Sequence, residues 1–181
     1  LVATTTDGIF KTSATEFVQT ALGQLTIGTV GDQALATPAL NETASSLTHT
    51  LNMSDIEQLH PNVQWRPDIE FALYQKLAIN AVINPLTALK NCKNGELSGY
   101  KKEVEMIKEE IFDLYEFMHL PIDNHSLSLQ IDNVIHLTRN NYSSMQQDFS
   151  QGRKTEIDGI LGFLLEKGRE TGMKMNYIQS L

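Results

Sequence analysis

Cys92 is the only cysteine in 181 residues, so no internal disulfide framework can form and the chain suits a reducing compartment. No apolar run reaches the roughly 18 residues that a membrane-spanning helix needs. The opening residues also lack the charged, apolar and small-residue succession of a signal peptide. A cytoplasmic protein without a membrane partner is therefore expected. Positive charge is in short supply too. Fourteen Lys and Arg face 22 Asp and Glu, for a formal net charge of -8, and the cations are scattered. That excludes a nucleic-acid surface, which needs them clustered. The five histidines show no metal-ligand spacing such as H-E-x-x-H, so no metal is expected, and no G-x-S-x-G elbow is present. The G-x-G-x-x-G fingerprint that seats a dinucleotide pyrophosphate at a helix N-terminus is absent as well. What remains is ordinary globular composition, 41% hydrophobic and 20% charged, enough for one domain or one domain and part of another.

The most organised stretch is RPDIEFALYQKLAINAVINPLTALKNCKNGEL, residues 66–97. Pro67 suits a first helical turn, where a missing N–H is no loss, and Asp68 and Glu70 set negative charge against the positive end of the dipole. The sequence thus predicts a helix opening at Pro67. Over residues 77–83 it is apolar almost all the way round, as in a helix buried on most sides. Lys76, Asn80 and Asn84 interrupt that surface. Their i, i+4, i+8 spacing stacks them along one face, about 40° apart per step. With Leu73 and Ile83 beside the row, the ammonium and the two amides are expected to look into an apolar-walled pocket, where the ammonium could serve as a proton donor. A lysine on a helix also commonly snorkels to water, and an asparagine before proline is often only a helix stop. Spacing alone leaves both readings open. Because Pro85 cannot donate a hydrogen bond and crowds the Ala81 carbonyl, the helix is expected to kink or end at Asn84.

Before this stretch, β-branched and aromatic runs at 16–21 and 24–29, separated by Leu22 and Gly23, predict a hairpin. A loop over 31–41, a helix through Asn52 and a short extended piece over 60–65 follow. After it the pattern is helical. Residues 99–119 repeat apolar positions at Val104, Ile107, Ile111, Leu114 or Tyr115, and Met118, and their Lys and Glu run reads as a solvated face. Residues 126–140 predict a helix with a Leu129, Val134, Leu137 stripe. Thr155 is expected to cap a last helix running to about Arg169, with Asp158 in the capping-box position. Gly159 and Gly162 are expected to leave room for a close neighbour. The fold class is mainly α, divided into residues 1–65, with strands and a helix, and a helical domain over 66–181.

The run KLAINAVINPLTALKNCKNGEL resembles the signature of ketopantoate reductases (2-dehydropantoate 2-reductases). Residues 143–172, SSMQQDFSQGRKTEIDGILGFLLEKGRETG, resemble that family's later motif, in the right order. Together they cover most of the chain after Tyr74. The resemblance implies an all-helical C-terminal substrate domain of the 6-phosphogluconate dehydrogenase kind, preceded by a β-containing remnant of a Rossmann domain. It implies an NADP-dependent oxidoreductase that reduces 2-dehydropantoate to pantoate in pantothenate biosynthesis. Carried over by motif, Lys76 is the proton donor and a substrate contact. Asn80, Asn84, Asn94 and Ser144 hydrogen-bond the substrate's hydroxyl and carboxylate groups. Glu156 contacts the nicotinamide ribose, and the segment near Ile9 contacts the cofactor through its backbone. The departures are Tyr74 in place of a tryptophan, Lys93 in place of a proline, and Ile9 where a small residue is usual.

Family members carry the glycine-rich fingerprint at their start, so about half of the enzyme, with most of its NADP site, is expected upstream of Leu1. The chain by itself is then expected to be inactive and to bind NADPH poorly. The choice between NADP and NAD, the particular 2-keto acid and the oligomeric state stay open, and a homodimer is compatible with the sequence. Two rivals remain: a reductase of another branched 2-keto acid, and a non-catalytic helical dimerisation module.

Overall fold

Antiparallel pairing in the first 30 residues comes from one ribbon folded back on itself. The structure, a computed structural model, describes residues 2–6, 8–11, 15–28, 30, 58 and 61–181. Strand β1 (Val2–Thr5) pairs with β4 (Leu25–Gly28), and β2 (Gly8–Lys11) pairs with β3 (Phe17–Ala21). Val2 stands opposite Gly28 and Lys11 opposite Phe17, with a register slip at Gly8/Ile9. The expected hairpin at Leu22 and Gly23 is not formed, because β3 and β4 are successive stretches of the same arm. Thr6 shows why. Its N–H donates to the Gln24 carbonyl at 3.1 Å and its hydroxyl accepts from the Gln24 N–H at 2.9 Å, which commits the residue after Gly23 to the opposite arm.

The extended piece before Pro67 is present as β5 (Val63–Trp65), which joins β4 in parallel with Leu25 opposite Val63. β4 is the central strand of this three-stranded sheet, and its Thr26 and Ile27 are buried. Gly28 is required where it stands, since a Cβ there would lie 2.1 Å from the Arg66 carbonyl oxygen and 2.7 Å from Ile69. Next to it, Arg66 grips Asp68 with two nitrogens, and this hydrogen-bonded ion pair holds the Asp68 carboxyl below its ordinary pKa. The expected loop over 31–41 and the helix through Asn52 lie outside the described residues.

Two compact units make up the chain, Leu1–Leu73 and Tyr74–Leu181. The division falls inside helix α1 (Ile69–Lys90), which opens after a turn at Pro67 and Asp68. Contrary to expectation, α1 neither ends nor breaks at Asn84 but runs through Pro85 to Lys90. A proline inside a helix costs about 3 kcal/mol. The turns beyond it offset that cost by burial: Leu86 and Thr87 are wholly inaccessible and Ala88 is nearly so. Tertiary packing decides this element, not local propensity.

The second unit continues with a 3-10 segment (Asn94–Gly99), α2 (Lys101–Phe117), α3 (Asn124–Leu137), α4 (Ser144–Ser150), a π-helical turn (Asp158–Gly162) running into α5 (Phe163–Thr171), and α6 (Asn176–Gln179). One apolar core joins them, with Val82 and Leu86 of α1, Ile107 and Ile111 of α2, Ile131 of α3 and Leu164 of α5 among its members. The stripe expected on α2 is buried, from Val104 to Tyr115. Its charged face is not wholly solvated, however. Lys108 is 1% exposed, and its ammonium reaches Asp132 on α3 at 2.7 Å, Glu105 at 2.9 Å and Ser128 at 3.2 Å. A buried ammonium survives because three oxygens satisfy it.

On α3 the buried residues are Leu127 and Ile131; of the expected stripe Val134 packs against the core, while Leu129 and Leu137 face solvent. Asp123 caps this helix by accepting the Ser126 N–H at 2.7 Å, and the phase set there turns 127 and 131 inward. Gly159 and Gly162 meet no close neighbour. The glycine that does is Gly168, whose added Cβ would fall 3.0 Å from the Met175 sulfur. The last helix opens at Ile157, one position later than a Thr155 cap implies. Among the described residues no helix is long and apolar enough to cross a membrane, and no group of His, Cys, Asp and Glu is placed to hold a metal.

Candidate active site

Helix α1 is the platform. Ala78, Ala81, Val82, Ile83 and Leu86 bury most of its circumference, as the apolar run predicts. Lys76, Asn80 and Asn84 lie on the remaining face, Lys76 and Asn80 half-buried and Asn84 8% exposed. Tyr74, two residues before the lysine, has its ring between those of Tyr115 and Phe163. The aromatic contacts fix the helix turn from which Lys76 projects. Among the described residues no hydrogen bond engages the side-chain amide of Asn80 or Asn84. Asn84 is buried and Asn80 half-buried, and their amides are available for hydrogen bonding along this face.

The polar row does not stop at Asn84. At 100° per residue, Thr87 returns to the azimuth between Lys76 and Asn80, and Asn91 follows on the same side. Both reach α4. The Thr87 and Ser143 hydroxyls are 2.7 Å apart, and Gln146 Nε2 donates to Asn91 Oδ1 at 2.9 Å. Ser143 is also the cap of α4, accepting the Gln146 N–H at 3.0 Å. Ser144 is thereby carried to the Asn84 end of the row, with its side chain exposed at the first turn of α4. Sequence reasoning missed Thr87, Asn91, Ser143 and Gln146. Two signals could have found them: the row's continuation past Pro85, and the S-x-x-Q spacing of a capping box over residues 143–146.

Asn94 is positioned differently from the expectation of a loop residue free to reach a ligand. It is buried, its N–H donates to the Asn141 carbonyl at 3.0 Å, and its amide nitrogen donates to the Thr138 hydroxyl at 2.9 Å. Thr138 spends its own proton on the Val134 carbonyl at 2.6 Å, so it can only accept from Asn94, and the amide orientation is settled. Asn94 Oδ1 is left buried without a partner. The neighbouring Gly95 is packed so closely that a Cβ would lie 2.6 Å from the Arg139 Cβ.

Glu156 is exposed immediately before the last helical run, and its carbonyl accepts the Ile160 N–H at 3.1 Å. A carboxylate at that helix start is favourable in itself. The helix it opens contains the π-helical turn, a local irregularity that often accompanies functional sites. Ile9 belongs to the other unit, in β2, paired with Gln19 of β3. Cys92 is buried, and burial raises its thiol pKa, as for an inert core cysteine. A depression of about 570 Å³ elsewhere in this unit is lined by Ser98, Lys101, Glu105, Asp132, His136 and Arg139 among others, and by none of the expected site residues.

The arrangement offers one ammonium, two unengaged amides and a helix start carrying a free hydroxyl, which suits a small acid bearing a carbonyl. Comparison with known proteins identifies the family. The family profile "Ketopantoate reductase PanE/ApbA C terminal" matches residues 68–181. A 2-dehydropantoate 2-reductase of Yersinia pestis is 39% identical over 137 residues, 75% of this chain and 45% of that protein. The 2-dehydropantoate 2-reductase of Vibrio cholerae is 33% identical over 175 residues, 96% of this chain and 55% of that one. Among solved structures, D-mandelate dehydrogenase with NADH superposes with a TM-score of 0.80 over 98% of this chain and 59% of the other, at 20% identity, which shows a shared fold. The chain spans about half the length of the curated relatives it matches. Through residues 68–181 it belongs to the ketopantoate reductase family.

Proposed function

We propose that this chain is the substrate-holding part of a ketopantoate reductase, which reduces 2-dehydropantoate to pantoate with NADPH in pantothenate biosynthesis. The carrying observation is the pair of amides, Asn80 and Asn84, that no hydrogen bond among the described residues engages, in line with Lys76 on a helix whose opposite face is buried. Lys76 hydrogen-bonds the keto oxygen, draws electron density from the carbonyl carbon and gives its proton to the alkoxide that forms. Asn80 and Asn84 hold the substrate from the same face, and the Ser144 hydroxyl closes the carboxylate end. Holding the acid at several points fixes the carbonyl in one orientation, which removes rotational freedom from the reaction.

A reduced nicotinamide, when bound, supplies the hydride. What this chain offers it is the exposed Glu156 carboxylate, suited to accept from ribose hydroxyls. No pyrophosphate seat of the G-x-G-x-x-G type occurs in these 181 residues.

Asn94 is the remaining substrate contact that the family resemblance implies. The experiment uses the protein expressed from its full reading frame. Lys76→Ala should lower kcat for ketopantoate by about 10²–10⁴-fold. Turnover of the variant at the wild-type rate would refute the assignment.

A further inference from the structure

The Thr87 hydroxyl has one proton and three oxygens around it: the Ile83 carbonyl at 2.8 Å, the Asn84 carbonyl at 3.0 Å and Ser143 Oγ at 2.7 Å. Carbonyls only accept, whereas in the Thr87–Ser143 bond either hydroxyl can be the donor. The Ser143 oxygen in turn accepts the Gln146 N–H at 3.0 Å. The Gln146 N–H, Ser143, Thr87 and the Asn84 carbonyl are thus linked in one hydrogen-bonded series, and none of the three side chains is more than 6% exposed. Hydrogen bonds linked in this way inside a low-dielectric interior polarise one another, and losing one link weakens the others.

A second strut runs beside the first. Asn91 closes α1 in the left-handed region, φ 49°, and accepts from the Gln146 side chain at 2.9 Å. The first turn of α4 is therefore tied at its cap and at its third residue to one face of α1. That face is the one bearing Asn80 and Asn84. Between the two tied residues stand Ser144 and Met145, the latter buried in the core. Ser144 is left with its hydroxyl exposed and its backbone immobilised.

We infer that Thr87 and Asn91 are positioning residues that set the span between Asn84 and Ser144, and through it the length of acid that the site grips. The inference rests on the function proposed above. Neither residue touches the substrate. They act by fixing where the Ser144 hydroxyl sits relative to the Asn84 amide.

Steady-state kinetics of the protein expressed from its full reading frame test this, with ketopantoate and NADPH varied separately. Thr87→Val, which keeps the shape and removes the hydroxyl, should raise KM for ketopantoate by about tenfold and leave KM for NADPH unchanged. Thr87→Ser should restore the wild-type value. Asn91→Gly retains the left-handed backbone and removes only the strut, and it should raise the same KM by about threefold. It serves if Thr87→Val fails to fold. An unchanged KM for ketopantoate in the folded variants, or equal rises for both substrates, overturns the positioning role. A wild-type protein that does not reduce ketopantoate overturns the functional reading and this role with it, and is told apart because the defect then precedes any substitution.

Discussion

Tyr115 donates its hydroxyl to the Tyr74 carbonyl at 2.8 Å while the two rings meet edge-on, 5.4 Å apart and inclined at 76°. One residue thus supplies both an aromatic wall and a hydrogen bond to the turn of α1 that precedes Lys76. Its phenol is so deeply buried that its pKa is pushed far above the ordinary range, and it acts only as a neutral donor.

Removing that donor isolates its contribution. Tyr115→Phe keeps the ring contact and leaves the Tyr74 carbonyl without this partner, so unfolding free energy should fall by about 1 kcal/mol. Urea unfolding followed by circular dichroism measures it. A variant as stable as wild type would mean that the hydroxyl contributes nothing to holding the turn.

The buried Lys108 makes a contrast between two substitutions. Its ammonium is 1% exposed, whereas its partners Glu105 and Asp132 are 58% and 56% exposed. Lys108→Met keeps the buried stem and leaves two carboxylates that already reach water, so it should stay within about 1 kcal/mol of wild type. Asp132→Ala strips the shortest ion pair from a charge that cannot reach water, and should cost about 1–3 kcal/mol. The order of the two variants in one denaturant titration decides the matter, and a reversed order would contradict it.

Acid should weaken the start of α3. Hydrogen bonds from Ser126, side chain and backbone, hold the Asp123 carboxyl below its ordinary pKa of 3.8. A carboxyl depressed in the folded state adds stability that is present above the unfolded value and lost as pH falls through the folded one. Asp123→Ala should therefore melt below wild type at pH 7, and the gap should close as the pH drops beneath about 3.8. Thermal melts across that interval check this. A gap that persists in acid would show that the cap does not act through its charge.

Much of the candidate site could be read from the sequence because it lies on one helix. The i, i+4, i+8 spacing of Lys76, Asn80 and Asn84 survives in the fold, and so does the burial of the residues around them. What could not be read depends on the tertiary partner. Pro85 looks like a stop until the burial of Leu86 and Thr87 is known, and once the helix was expected to end there, Thr87 and Asn91 dropped out of the row. Lys108 looks solvated until α3 brings Asp132 across to it. The placing of β3 and β4 on one arm turns on Thr6 reaching Gln24, a pairing 18 residues apart that strand propensity cannot express. Asn94 shows a further kind of limit. Its loop was legible, but the sense of its amide is set by Thr138, which only the fold brings near.

The central place of β4 bears on how the chain is born. Its partner β1 leaves the ribosome first and can zip onto it at once, but β5 follows only after a long intervening stretch has been translated. Until then the Leu25 N–H and the Ile27 carbonyl, later bound to the Asn62 carbonyl and the Arg66 N–H, stand bare along an edge that also displays an isoleucine. A nascent ribbon of this kind is open to adding a foreign strand, so co-translational chaperoning matters most in the interval before Val63 emerges.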